Sequence, residues 1–74
     1  MPKLPALTAQ RVIRILRSRG FELDRIKGSH HIYLHPVSRR RVTVPIHRRD
    51  LPSGTLYEIL RQAGLTREDL LSLL

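Results

Sequence analysis

The run Lys27-Gly28-Ser29-His30-His31-Ile32-Tyr33-Leu34-His35 gathers three of the four histidines in the chain. Histidine takes and gives protons near neutral pH. A glycine just upstream lets the backbone come close to a ligand, and Ser29 adds a hydroxyl. A phosphodiester is the substrate this combination suits. Backbone N–H groups of Gly28 and Ser29 would hold a phosphate oxygen, Lys27 would add positive charge, and a histidine would move the proton. RNA carries its own nucleophile, the 2′-hydroxyl, so one base beside an anion-binding turn can cut it without a metal. DNA lacks that hydroxyl, and cutting it would usually call for metal ions.

Spacing narrows the cluster. On a strand, His30 and His31 point to opposite faces and do not flank one phosphate as an acid–base pair. His31 and His35 share a face, but four strand residues separate them by on the order of 13 Å, too far for one proton relay. The site therefore rests on a single histidine, completed by His47 or by an arginine from elsewhere. No third ligand stands at a spacing that would fix zinc, and the six carboxylates are scattered. Neither a metal nor another cofactor is expected. Plainer roles compete with these: a hydrogen-bonded structural histidine at His30, a loop residue at His47, a charged hairpin tip rather than a phosphate clamp at Arg39-Arg40-Arg41. His31, Tyr33 and His35 read as a solvated or RNA-stacking face.

These residues need a frame, and the rest of the chain supplies one. Residues 1–7 form a lead-in whose prolines, Pro2 and Pro5, oppose an early helix. Thr8 reads as an N-cap. Ala9, Val12, Ile13 and Leu16 then make the stripe of an amphipathic helix, which Gly20 ends. Phe21–Ile26 reads as a first strand whose alternation breaks after four residues. Lys27-Gly28-Ser29 is turn chemistry, His30–His35 a second strand, and Arg41–Val44 a third that Pro45 closes. After a basic connection, Pro52 or Ser53 opens a second helix with Leu56, Ile59, Leu60 and Ala63 as its stripe and Gly64 as its stop. Thr66-Arg67-Glu68-Asp69 has the layout of a capping box, with Asp at N3, and leads a short leucine-rich helix that fills the core or meets a partner.

The order helix, three strands, helix, short helix predicts an α+β sandwich. Its three-stranded antiparallel meander would carry two helices on one face and leave the other open. Ile32, Leu34, Val42 and Val44 are expected beneath the helices. His30 would share that face, so it can act only at the mouth of its strand, beside the turn.

Composition agrees with a nucleic-acid partner. Fourteen Lys and Arg against six Asp and Glu give +8 on 74 residues, and twelve of the fourteen are arginine. Arginine is the better bidentate partner for phosphate and stacks on bases. Residues 1–74 make one domain with a thin core. The absence of cysteine suits a reducing cytosol. No apolar run reaches the length of a membrane span and no secretory h-region opens the chain, so a cytoplasmic protein without a membrane partner is expected.

The sequence also resembles a known family. Lys27-Gly28-Ser29-His30-His31-Ile32-Tyr33 is similar to the signature of the HicA (YcfA-like) toxins. So is Val44-Pro45-Ile46-His47, followed by Asp50-Leu51-Pro52-Ser53-Gly54-Thr55-Leu56 and Ile59-Leu60-Arg61-Gln62-Ala63-Gly64-Leu65. The likeness runs from Val12 to Leu65. It implies a fold like double-stranded-RNA-binding domains, α-β-β-β-α, and an mRNA interferase neutralised by a HicB-type antitoxin that covers the active surface. It also implies that the histidine directly after Gly-Ser, His30, is catalytic. Relatives with the histidine one place later keep His31 in view.

Residues and resemblance together predict a toxin endoribonuclease acting on single-stranded mRNA. His30 is the base, and His31 and His47 are accessory candidates. Lys27, Gly28, Ser29, Tyr33, Arg39, Arg40, Arg41 and Arg48 are the phosphate- or RNA-binding candidates. The alternative is a non-catalytic RNA-binding module of the same fold, because fold alone does not separate binding from cutting.

Overall fold

A computed structural model describes residues 4–74; Pro2, and with it the start of the lead-in, lies outside them. The elements are α1 (Ala9–Ser18), β1 (Glu22–Lys27), β2 (His30–Leu34), β3 (Arg41–Pro45), α2 (Ser53–Ala63) and α3 (Arg67–Ser72). The strands form one antiparallel sheet in the order β1-β2-β3. This is the α+β sandwich expected from the sequence, with an open sheet and the helices on one side.

Local chemistry sets the helix ends. The Thr8 hydroxyl accepts from the Arg11 N–H at 3.2 Å, which satisfies one of the free donors of the first turn of α1. At its other end Gly20, at φ 93°, donates its N–H to the Arg17 carbonyl, and Phe21 donates to Leu16. Gly64 (φ 72°) and Leu65 repeat this pair of bonds on Arg61 and Leu60 at the end of α2. In both places the left-handed glycine folds the next apolar residue back into the core; Phe21 and Leu65 are buried. Phe21 therefore belongs to the end of α1, and β1 starts one residue later than alternation places it. Thr66 and Asp69 close a reciprocal capping box, at 2.9 and 3.0 Å.

The core lies between the sheet and the helices. Val12, Ile15 and Leu16 of α1 meet Leu56, Ile59, Leu60 and Ala63 of α2 over Tyr33, Val42 and Val44. Ile15 is buried where the stripe pointed to Ile13, which is only half-buried. Both helices lean on β3 more than on β1, so the helix-side residues Leu23 and Ile26 of β1 stay 40% and 56% exposed.

The face of β2 is the main correction. Cross-strand partners share a face, and Tyr33 pairs with Val42 and His31 with Val44, both valines fully buried. Hence His31 and Tyr33 look toward the helices, while His30, Ile32 and Leu34 look out. Tyr33, 2% exposed, is a core side chain, and it replaces Ile32 and Leu34, which remain half-buried on the open face. Burying a ring of that size contributes on the order of 3 kcal/mol. β2 also ends at Leu34, because the His35 backbone turns to bond Arg39 and Arg40. Among the described residues no helix is long and apolar enough to cross a membrane.

Candidate active site

β1 and β2 are joined by two residues, Gly28 and Ser29, between the facing pair Lys27 and His30. Gly28 has φ 61°, at the first loop position, where a II′ hairpin turn favours glycine. A Cβ built there would meet nothing within 4 Å, so the backbone lies open to an approaching ligand. The turn is anchored on its far side: the Ile46 N–H donates to the Ser29 carbonyl at 2.7 Å, which extends the β2–β3 ladder past His30 and Pro45.

His30 is exposed. It stands on the open face at the start of β2, with Lys27 opposite it on β1 and Pro45 opposite it on β3. No hydrogen bond or ion pair engages its ring among the described residues, so both nitrogens are available. The tension over its face disappears once β2 is turned over: the outward face is the one His30 shares with Ile32 and Leu34. His31 is half-buried on the helix side, so the two adjacent histidines do not share a ligand.

His47 and Arg48 follow β3 in an exposed loop at the same end of the sheet as Gly28 and Ser29. They line two neighbouring pockets. One, of about 430 Å³, is shared with Pro45, Arg49, Asp50, Pro52 and Thr55. The other, of about 340 Å³, is shared with Thr8, Gln10 and Ile46.

The remaining candidates are elsewhere. Tyr33 is enclosed in the core and has no face to offer RNA. His35, expected on a solvated face, is held on every side. Its Nδ1 accepts from the N–H groups of Val37 and Ser38 at 3.1 Å each, which leaves Nε2 as the donor to the Arg19 carbonyl at 3.1 Å. Its ring meets Phe21 edge-on at 5.1 Å. Arg39, Arg40 and Arg41 do not form one clamp. Arg39 takes φ 65° in the turn, and Arg40 crosses to the Gln62 carbonyl at the end of α2. Arg41 alone reaches the open face, paired with Asp24 at 3.3 Å. All three sit at the far end of the sheet, on the order of 13 Å from His30.

Residues Ala9 to Leu65 of the 74 match the family model described as HicA toxin of bacterial toxin–antitoxin. The chain belongs to the HicA toxin family. Membership makes it the toxin of a toxin–antitoxin pair, with an antitoxin as partner. No protein of curated function gives a significant match.

In this HicA chain one residue near the site escaped the sequence reading. Asp24 is an extra residue in β1, a bulge between Leu23 and Arg25. A bulge shifts the alternation by one, so Arg25 joins Lys27 on the open face, one row from His30, opposite Ile32. The signal was the three-residue gap between Leu23 and Ile26, where a regular strand would have shown two. Arg25 reaches Asp24 at 3.7 Å. Among the described residues no three His, Cys, Asp or Glu side chains converge.

The shifted carboxyls of the toxin lie on its helices. Arg61 holds Glu58 down at about 2, with help from Gln62, and is itself raised by Glu58. Glu68 is lowered by its own N–H and by Arg67. Asp69 is lowered by the Thr66 N–H and hydroxyl.

Proposed function

We propose that this toxin is an endoribonuclease that cuts mRNA with His30 as its base. His30 removes the proton of a 2′-hydroxyl, and the resulting oxygen attacks the adjacent phosphorus. The 5′-oxygen of the next nucleotide leaves, taking a proton from His47 or from water. The products are a 2′,3′-cyclic phosphate and a 5′-hydroxyl, and no group outside RNA and protein is consumed. Backbone N–H groups and the Ser29 hydroxyl at the turn hold the phosphate. Lys27 and Arg25 offset the charge that grows on its oxygens in the transition state, where such help is most effective. Residues 1–74 act as one domain, in the cytoplasm, on single-stranded message.

One observation carries this reading: His30 is exposed and unpartnered beside an open Gly-Ser turn, on a face flanked by cations. A histidine that served the fold would be bonded, as His35 is. A HicB-type antitoxin would neutralise the toxin by covering the open face of the sheet.

The test is to induce the wild type and His30→Ala separately in a bacterial host and to follow growth and mRNA integrity. Growth arrest with loss of message is expected for the wild type only, while His30→Ala still binds RNA in vitro. A wild type that binds RNA and never cuts it would make the protein a binding module instead.

A further inference from the structure

The 430 Å³ pocket beside the turn enters the bond-breaking steps above through His47 alone; its other lining residues have no part in them. Its volume falls within the range of small-molecule sites, roughly 300–1,000 Å³. It also adjoins the chemistry directly: Pro45, one of its walls, is the residue that faces His30 across β2 and β3. Whatever fills the pocket is therefore next to what His30 touches.

Its lining is mixed in a specific way. Pro45 and Pro52 supply apolar walls against which a flat ring can lie, and Arg48 and Arg49 supply positive charge. Asp50 lines it as well. Most acids of the chain are engaged: Asp24, Glu58 and Glu68 in ion pairs, Asp69 in its capping box. Asp50 has no ion pair and no side-chain hydrogen bond among the described residues, although it follows two arginines. A carboxylate only accepts hydrogen bonds, so this one asks for a donor from the occupant.

We infer that this pocket is a nucleotide subsite that reads a base beside the cut. Arg48 and Arg49 take the phosphate of a nucleotide flanking the scissile bond, and Asp50 accepts from the donor edge of its base. Guanine offers two adjacent donors on that edge, N1–H and the 2-amino group, and fits a carboxylate best. Cytosine and adenine offer one amino group. Uracil has a single N–H between two carbonyl oxygens, which a carboxylate repels. The expected order is guanine first and uracil last, and Asp50 sets it. This inference rests on the ribonuclease reading, and it fails separately from it.

Two measurements on the full chain test it. The first maps cut sites on an RNA containing all four bases, for the wild type and Asp50→Asn. Asparagine keeps the shape, and position 50 pairs with Thr8 through its backbone, so the fold is not at risk. The wild type is expected to disfavour uracil by about tenfold at one flanking position, the size of a good base contact. Asp50→Asn flattens that preference. Cutting with no base preference, or with one that Asp50→Asn leaves intact, overturns the subsite and leaves the ribonuclease standing.

The second measurement titrates GMP and UMP into the wild type and follows backbone amide resonances, which does not depend on cleavage. GMP is expected to move the resonances of residues 46–55 more than UMP, and less so in Asp50→Asn and Arg48→Ala. Equal responses to the two nucleotides, or none, overturn the inference. A protein that distinguishes GMP from UMP and cuts nothing would instead refute the ribonuclease while keeping the pocket.

Discussion

The two hairpins of the sheet are built from similar residues and put to opposite use. At the β1–β2 turn, Gly28 has open space where a Cβ would go, and the His30 ring makes no hydrogen bond or ion pair among the described residues. At the β2–β3 turn, His35 makes three hydrogen bonds and an edge contact. A Cβ on Gly20 would lie 2.9 Å from the His35 ring, and one on Gly64 would lie 2.6 Å from Arg40. So one end of the sheet is pinned to both helix ends, and the other is left free for a ligand. The difference teaches how so small a fold leaves one end of its sheet unencumbered: the side chains that bridge to the helix ends, His35 and Arg40, stand at the far end.

The largest expected effect sets one histidine against the other. His30→Ala should lower RNA cleavage by roughly 10²–10⁴-fold, the usual worth of a positioned proton-transfer group. Its melting temperature should stay within roughly 3 °C of wild type, as for a surface change. His35→Ala should do the reverse. Losing its bonds costs about 2 kcal/mol, roughly 10 °C in a domain this small, with cleavage per folded molecule retained. Thermal unfolding and a cleavage assay on both variants decide it. If His35→Ala lost cleavage while folded, the two ends would be coupled and the contrast wrong.

The glycines sharpen the same contrast at smaller scale. Alanine at any of the three must hold a left-handed backbone, at about 1–2 kcal/mol. At Gly20 it must also displace a ring fixed by three bonds, so about 3 kcal/mol is expected in all. At Gly64 the obstacle is a flexible arginine that can swing away, and about 2 kcal/mol is expected. At Gly28 nothing is in the way, and the cost should be about 1 kcal/mol. Denaturant unfolding of the three variants should return that order, and Gly28→Ala as the most damaging would contradict it.

Much of this was legible in the sequence, and the exceptions share one cause. Helix stripes, glycine stops and the Thr66 capping box are local signals, and the folded chain follows them almost residue for residue. The Gly-Ser turn was legible for the same reason, as was the place of His30 as the first residue of β2. What alternation does not say is which of two faces lies inside. On β2 it separated His31 and Tyr33 from Ile32 and Leu34 correctly, but the choice between them belongs to Val42 and Val44 on the next strand. The bulge at Asp24 is also a matter of pairing, and it decides that Arg25 stands beside His30. Three consecutive arginines at 39–41 looked like one patch, yet the turn sends them in three directions, Arg40 to the Gln62 carbonyl at a helix end 22 residues further along the chain.

The smallest expected effect concerns the acid that braces the pinned side. Glu58 bonds Arg61 and also accepts from the Gln62 amide at 3.1 Å. Gln62 in turn accepts the Thr43 N–H at 2.9 Å, which covers the outer edge of β3. The Arg61 guanidinium holds the Glu58 carboxyl at about 2, below its ordinary 4.5. Because the folded state favours the ionised form, this contribution is full above about pH 4.5 and drains away as pH falls toward 2. Glu58→Gln removes it, so the gap in stability between variant and wild type should be present at pH 6 and narrow as pH drops to 2. The pair is fully exposed, so the gap should be small and should shrink further in 1 M salt. Denaturant midpoints across pH and salt measure it. Cleavage at neutral pH should be the same in both proteins, since Glu58 acts on an edge of β3 that the open turn does not share; a drop in cleavage at neutral pH would show that the brace reaches His30 after all.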